Sequence, residues 1–210
     1  MSAADPRVVY LVDDDEDICL SLGSLLRSSG LHVEAFPSLR EFLSFPKQAG
    51  PSCLVLDVRL RGENGLTFQQ EAAKSGLHMP ILFITGYADI EMSVRAMKAG
   101  AQEFFTKPFR DQDMLDAIAQ ALTRDAARLA AEQSIAAIRV CYDSLTPRER
   151  EVMSYVVAGL VNKEIALQME LSEIMVKIHR GRVMKKMASR SIADLVRKAD
   201  ALGVPANSNR

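Results

Sequence analysis

The stretch VVYLVDDDEDI, Val8 to Ile18, joins a short apolar run to five consecutive acids. The apolar half reads as a strand, because it is short and rich in β-branched residues. The acidic half poses a question. Like charges this close repel one another, so either water solvates them or a cation holds them. Similar short runs recur at residues 32–36, 53–57, 81–85 and 103–106. Helix-like segments separate them at 15–29, 39–45, 65–75 and 89–99, and another begins near Asp111. Strands alternating with helices predict a parallel sheet covered on both faces. CLVLD at 53–57 and ILFIT at 81–85 are apolar throughout, as strands buried on both faces should be.

A doubly wound five-stranded sheet of this kind binds ligands beyond the carboxyl ends of its strands. The residues just past each strand are therefore the candidates. Strand one ends in Asp13 and Asp14, strand three in Asp57, strand four in Thr85, and strand five is followed by Lys107 and Pro108. Three carboxylates at one sheet edge suit a hard divalent ion such as Mg2+, which takes oxygen ligands and keeps several waters. A bound ion would also relieve the repulsion within the opening stretch. The Lys107 ammonium would pair with Asp57 at that edge.

The chain of 210 residues is long enough for one large or two modest domains. Charge is spread unevenly: 11 basic against 14 acidic side chains in residues 1–110, 3 against 6 in 111–143, and 12 against 7 in 144–210. A basic final segment behind an acidic body points to an anionic partner, most often nucleic acid. No apolar run approaches the roughly 18 residues that span a bilayer. The start MSAADPRVV lacks the basic and apolar segments of a secretory signal, so a cytoplasmic, non-membrane location is expected. Three cysteines with no CxxC pair argue against a zinc site or a disulfide framework.

Residues 111–142 contain no proline or glycine and are rich in alanine. Their helix propensity predicts a long helix that ends the first domain and continues as a connector, with two helices broken near Thr123 as the alternative. Thr146 and Pro147 then form a helix start. Short helices fit 162–169, 173–187 and 192–202, and Gly159 ends the one before them. The predicted organisation is a first domain over 1–122, a helical linker over 123–143, a small four-helix all-α domain over 144–203 and a disordered tail over 204–210.

VDDD, LVLDVRL, FITGYAD and EFFTKPF, in that order, resemble the receiver domain of bacterial response regulators over about residues 7–122. The resemblance implies a CheY-like fold and transfer of a phosphoryl group from a sensor histidine kinase to the Asp57 carboxylate. It also implies Mg2+ held by Asp13, Asp14, Asp57 and the Arg59 backbone carbonyl. Thr85, Phe104 and Lys107 become the switch and phosphoryl-binding residues, and the Lys107–Pro108 bond is expected to be cis. Such a protein is a phosphate acceptor rather than an enzyme, with slow autodephosphorylation at most. One departure is Arg61, which stands where the family usually has proline and suggests a more flexible loop there.

LTPREREVMSYVVAGLVNKEIALQMELSEIMVKIHRGRVMKKM resembles the LuxR/FixJ-type helix-turn-helix over about residues 145–203. On a helical wheel Val176, His179, Val183 and Met187 share one face, and Ile174, Ile178, Gly181, Arg182 and Lys185 lie opposite, with Lys177 and Lys186 on the flanks. The second face suits a major groove. Lys177, Ile178, Gly181, Arg182 and Lys185 are the expected DNA contacts. Met175 and Gly181 depart from the family's usual residues. Together the two resemblances describe a two-component transcription regulator of the FixJ/NarL type. Its partners would be a histidine kinase, double-stranded promoter DNA and a second copy after phosphorylation, with RNA polymerase a further candidate. For pairing on DNA, the stripe Ile192, Leu195, Val196, Ala199 and Leu202 offers a surface. Three other readings fit less well. A haloacid-dehalogenase-type phosphatase would place its nucleophile at strand one, an autoinducer-binding regulator would need no aspartate cluster, and a regulator working without phosphate would not need the complete acidic set.

Overall fold

Val8, Tyr10 and Val12 of strand β1 (Val8–Val12) pack into one core, and Val9 and Leu11 into another. Alternate side chains leave a strand on opposite faces, so both faces of β1 are covered. The computed structural model describes residues 7–74, 76–87 and 89–205, which fall into two units, Met1–Leu129 and Ala130–Arg210. In the first unit β1, β2 (His32–Phe36), β3 (Ser52–Asp57), β6 (Ile81–Thr85) and β7 (Glu103–Thr106) form one parallel sheet in the order β2-β1-β3-β6-β7. The three central strands are buried at every position, whereas β2 and β7 at the edges are not. Helices α2 (Leu39–Ser44), α3 (Gly65–Lys74) and α4 (Ile90–Lys98) contribute to the Tyr10 core, and α1 (Glu16–Ser28) and α5 (Asp111–Asp143) to the Leu11 core. Each fully buried leucine or isoleucine contributes about 1.5–3 kcal/mol to this arrangement.

The expected strands and helices are present, with ends shifted by one residue in places. One element was not anticipated. After β3 the chain forms a small antiparallel hairpin, β4 (Arg59–Leu60) and β5 (Glu63–Asn64), turning through Arg61 and Gly62. Gly62 has φ +79°, a turn conformation that suits glycine. The loop expected to be more flexible because proline is missing at position 61 is therefore a paired hairpin. Strands of two residues are too short to leave a periodic signal.

Helix α5 runs unbroken from Asp111 to Asp143, so the expected connector is one helix with no break near Thr123. Met114, Ile118, Ala121 and Leu122 pack in the first unit, and Ile138, Cys141 and Tyr142 pack against the core of the second. Residues 130–137 between them are exposed all round, where alanine-rich propensity rather than packing keeps the helix. An unforeseen anchor is Asp125, which is buried, accepts the Ser52 N–H at 2.8 Å and pairs with Arg128 Nε at 2.8 Å.

In the second unit α6 (Pro147–Val157), α7 (Asn162–Met169), α8 (Glu173–Lys186) and α9 (Ile192–Ala201) enclose a core that includes Val152, Ile165, Val176, Val183 and Leu195. Thr146 and Glu149 cap α6 reciprocally: Thr146 Oγ1 accepts the Glu149 N–H at 3.3 Å and Glu149 Oε2 accepts the Thr146 N–H at 2.9 Å. Val204, assigned above to a disordered tail, packs against this core and donates its N–H to Ala199 O at 3.0 Å. It belongs to the folded unit because its apolar side chain finds a buried surface. The rest of that tail, 206–210, lies outside the described residues. No helix among the described residues is long and apolar enough to cross a membrane.

Candidate functional site

The order β2-β1-β3 sends the crossovers from β1 and β3 to opposite sides and opens a crevice beyond their carboxyl ends. Asp13 follows β1 there and Asp57 ends β3. Asp13 is only 1% exposed, and a buried carboxylate is costly unless it is paired. Lys107, just past β7, supplies the pairing, and the Lys107–Pro108 bond that follows is cis. Lys107 Nζ donates to Asp13 Oδ2 at 2.6 Å and to Asp57 Oδ2 at 2.9 Å. The remaining oxygens are also engaged: Asp13 Oδ1 accepts the Asp15 N–H at 3.0 Å, and Asp57 Oδ1 the Arg59 N–H at 2.9 Å. Burial pushes the Asp13 pKa up more than its bonds to Lys107 and Asp15 pull it down. Burial works against the Lys107 ammonium too, yet its hydrogen bonds to Asp13 and Asp57 prevail and hold its pKa above the ordinary lysine value.

The five acids of the opening stretch divide the work. Asp13 is buried and Asp14 faces the crevice. Asp15 caps α1, accepting the N–H groups of Asp17 at 3.0 Å and Ile18 at 3.3 Å. Glu16 and Asp17 lie in the first turn, where the helix dipole favours negative charge. One carboxylate oxygen from each of Asp13, Asp14 and Asp57 lies within 4.8 Å of the other two. This all-oxygen donor set, with few ligands and open access, fits an ion that retains water.

The cavity above these groups, about 580 Å³, is lined also by Arg59, Arg61, Thr85 and Tyr87. Thr85 Oγ1 lies 3.3 Å from both the Tyr87 N–H, which it accepts, and the Tyr87 carbonyl, to which it donates. The Arg59 guanidinium stacks 5.2 Å from the centre of the Tyr87 ring at the rim. Phe104 is half-buried with its ring 6.3 Å from Phe83. Gly65 is a positional requirement: a Cβ there would lie 2.8 Å from the Asp57 carbonyl oxygen. Its signal is a glycine opening a helix just after the acid-bearing strand. At Gly86 a Cβ would meet nothing within 4 Å, so packing does not require glycine there.

On α8, Val176, Val183 and Met187 face the core, and Lys177, Ile178, Gly181, Arg182 and Lys185 are exposed. The expected base-facing set thus shares one open surface, next to Ile174 and Met175. Arg180 points elsewhere, with Nη1 donating to Asn162 Oδ1 at 2.7 Å. Two expectations need correction. Lys186, placed among the flanking cations that meet DNA, donates to buried Glu149 at 2.6 Å and to the Ser144 carbonyl at 3.0 Å. That hydrogen bond from Lys186 holds the Glu149 carboxyl below the usual range. The α9 stripe is not a free pairing surface either. Leu195, Ala199 and Leu202 are buried in their own domain, and only Ile192 and, in part, Val196 reach the surface. A four-helix domain this small needs that stripe to close its core.

Comparison with known proteins adds to this geometry. Residues 9–119 match the model described as response regulator receiver domain, and 143–199 match bacterial regulatory proteins, luxR family. The chain is 50% identical over 205 residues to nodulation protein W of Bradyrhizobium diazoefficiens, covering 98% of this chain and 90% of that protein. Among solved structures, the response regulator StyR superposes with a TM-score of 0.83 at 41% identity, over 93% of this chain and 98% of that one. Full-length FixJ from B. japonicum matches with a TM-score of 0.55 at 34% identity, over 96% and 98% of the two chains.

Proposed function

The chain belongs to the response regulators, as a two-component transcription regulator that joins a receiver domain to a LuxR-family DNA-binding domain, and on that premise we propose that Asp57 is its phosphoacceptor and α8 its DNA-reading helix. One observation carries the reading: Lys107 bridges Asp13 and Asp57 at the floor of an open crevice. An oxygen of Asp57 attacks the phosphorus of a phosphohistidine on a sensor histidine kinase. The new P–O bond forms as the P–N bond breaks, and the imidazole leaves with a proton from solvent. Mg2+ bound by Asp13, Asp14, Asp57 and the Arg59 carbonyl would neutralise charge on the transferring oxygens. Lys107 keeps its proton and exchanges a carboxylate for a phosphoryl oxygen. Thr85 releases the Tyr87 carbonyl and turns its hydroxyl to another, and Phe104 moves into the space this opens. The protein is consumed as an acceptor and loses its phosphate only by slow hydrolysis, so it is not an enzyme. Incubation with acetyl phosphate and Mg2+ should add one phosphoryl mass to the intact chain and none to Asp57→Asn. Equal uptake by that variant would overturn the assignment.

One small helical domain makes few DNA contacts, and two linked copies gain affinity through effective concentration. The resting protein is therefore a monomer that dimerises on phosphorylation. The face of α4, β7 and α5 carries Met92, Arg95, Lys98, Asp111 and Asp116, a mixture suited to charge pairs between copies. Ile192 and Val196 of α9 add a small contact on an inverted-repeat promoter, where RNA polymerase is then engaged. Sedimentation velocity with and without beryllofluoride reads this directly. Equal dimerisation in both states removes the dimerisation step and leaves release of the DNA domain as the switch.

A further inference from the structure

Among the charged groups around the crevice, Arg61 has no part in the function described so far. Its Nε lies 3.0 Å from Asp14 Oδ2, while Lys107 serves Asp13 and Asp57. Three carboxylates therefore share two cations, one buried and one at the surface. The two differ in how firmly they are held. Lys107 is 17% exposed by side chain and makes two bonds, whereas Arg61 is 88% exposed and makes one.

The turn that presents Arg61 is tethered on several sides. Glu63 Oε2 accepts the Leu39 N–H of α2 at 3.0 Å, and Asn64 Oδ1 accepts the Leu66 N–H of α3 at 2.9 Å. The Gly65 N–H closes onto the Val58 carbonyl at 3.0 Å. Gly62 takes the left-handed turn position, so Arg61 itself needs no strained backbone. An ordered hairpin thus holds a guanidinium beside the one acid of the cluster that lies partly open to solvent.

We propose that Arg61 is a resident cation of the metal site: it holds Asp14 until a divalent ion displaces it, and so sets this receiver's affinity for that ion. The inference rests on reading Asp13, Asp14 and Asp57 as the Mg2+ ligands. A positive charge 3.0 Å from one ligand oxygen opposes an incoming dication and must leave or reorient. Because the pair is exposed, its strength is small, so Arg61 raises the concentration of metal required without blocking the site.

Mg2+ titration of the full chain without phosphodonor, followed by amide NMR shifts, tests this. Arg61→Ala and Arg61→Gln should bind Mg2+ about two- to fivefold more tightly than the parent at low salt, the range that an exposed ion pair supplies. Arg61→Glu should bind more tightly still, and Arg61→Lys should stay near the parent. Raising salt to about 0.5 M should shrink these differences, since screening removes the competing charge. Exposure of the side chain makes all four variants expected to fold, and thermal melting checks it. Affinities that do not follow the order of charge, with Asp14→Asn still weakening Mg2+, would overturn the role of Arg61 and leave the metal site intact. Mg2+ affinity unchanged in Asp14→Asn as well would overturn the metal site itself.

Discussion

The acidic crevice and the α8 surface are both charged, and they treat charge in opposite ways. In the crevice Asp13, Asp57 and Lys107 are largely withdrawn from water and satisfy one another. On α8 the side chains of Lys177, Arg182 and Lys185 are exposed and make no hydrogen bond or ion pair among the described residues. The crevice is an internal balance that, on the proposed function, one new charge, a phosphoryl group, would upset. The helix surface is left unbalanced for a polyanion to complete. Substitutions in the crevice should alter chemistry, and those on α8 should alter affinity with little change in folding.

The strongest way to sharpen this contrast is to strip the open cations. Replacing Lys177, Arg182 and Lys185 together by alanine should weaken promoter binding about 100-fold near 0.1 M salt and flatten the salt slope by about two to three. The melting temperature should stay within a degree or two, because none of the three is packed. Fluorescence anisotropy across a salt series, beside calorimetry, checks both halves. A drop in melting temperature without a change in slope would erase the distinction between the two regions.

Lys186 sits on the same helix but belongs to the internal kind, so Glu149→Ala is the counter-test. It removes half of the α6 capping box and leaves the Lys186 ammonium without its buried partner. The second unit should lose about 2 kcal/mol, the sum of a lost cap and a partly exposed ion pair. Sign follows from the lowered pKa: the contribution is present above the unfolded carboxylate value near 4.5 and is lost as pH falls through the folded one. Denaturant unfolding at pH 7 and pH 3 should therefore show parent and variant converge in acid. A gap that persists unchanged at pH 3 would count against the ion pair as its source.

The smallest effect expected lies at the crevice rim. Arg59 and Tyr87 stack on each other beside the opening, and two bulky side chains there would obstruct an attacking water. Replacing both with alanine should shorten the phosphoryl lifetime about two- to fivefold, well below the scale of losing a catalytic group. Decay of the acyl phosphate, followed by intact mass after the donor is removed, measures it. An unchanged lifetime would mean the rim does not govern water entry.

Much of this was legible in the chain because the relevant signals are local or periodic. Apolar runs such as CLVLD and ILFIT announce strands covered on both faces, and position at a strand's end marks Asp13, Asp57, Thr85 and Lys107 as neighbours in the crevice. Helical spacing separated the Val176 face of α8 from the Lys177 and Arg182 face. Wherever a side chain chooses between water and a distant partner, sequence was silent. Lys186 and Lys185 are adjacent cations in the chain, yet only the fold brings Lys186 within 2.6 Å of Glu149. Nothing local sets Asp125 apart from the other acids of α5, and only the fold brings it the N–H of Ser52, 73 residues earlier. Leu195, Ala199 and Leu202 formed an apolar stripe that could equally face a second copy or their own core, and closure of a small domain took them inward. Arg61 came to Asp14 through a hairpin too short to carry a pattern. Pattern and spacing therefore determined the strands of the main sheet, the helices, their order and the acids at the sheet edge. Tertiary structure alone decided which charges are spent inside the molecule and which remain for its partners, because that choice depends on desolvation and on partners distant in sequence, which no local pattern encodes.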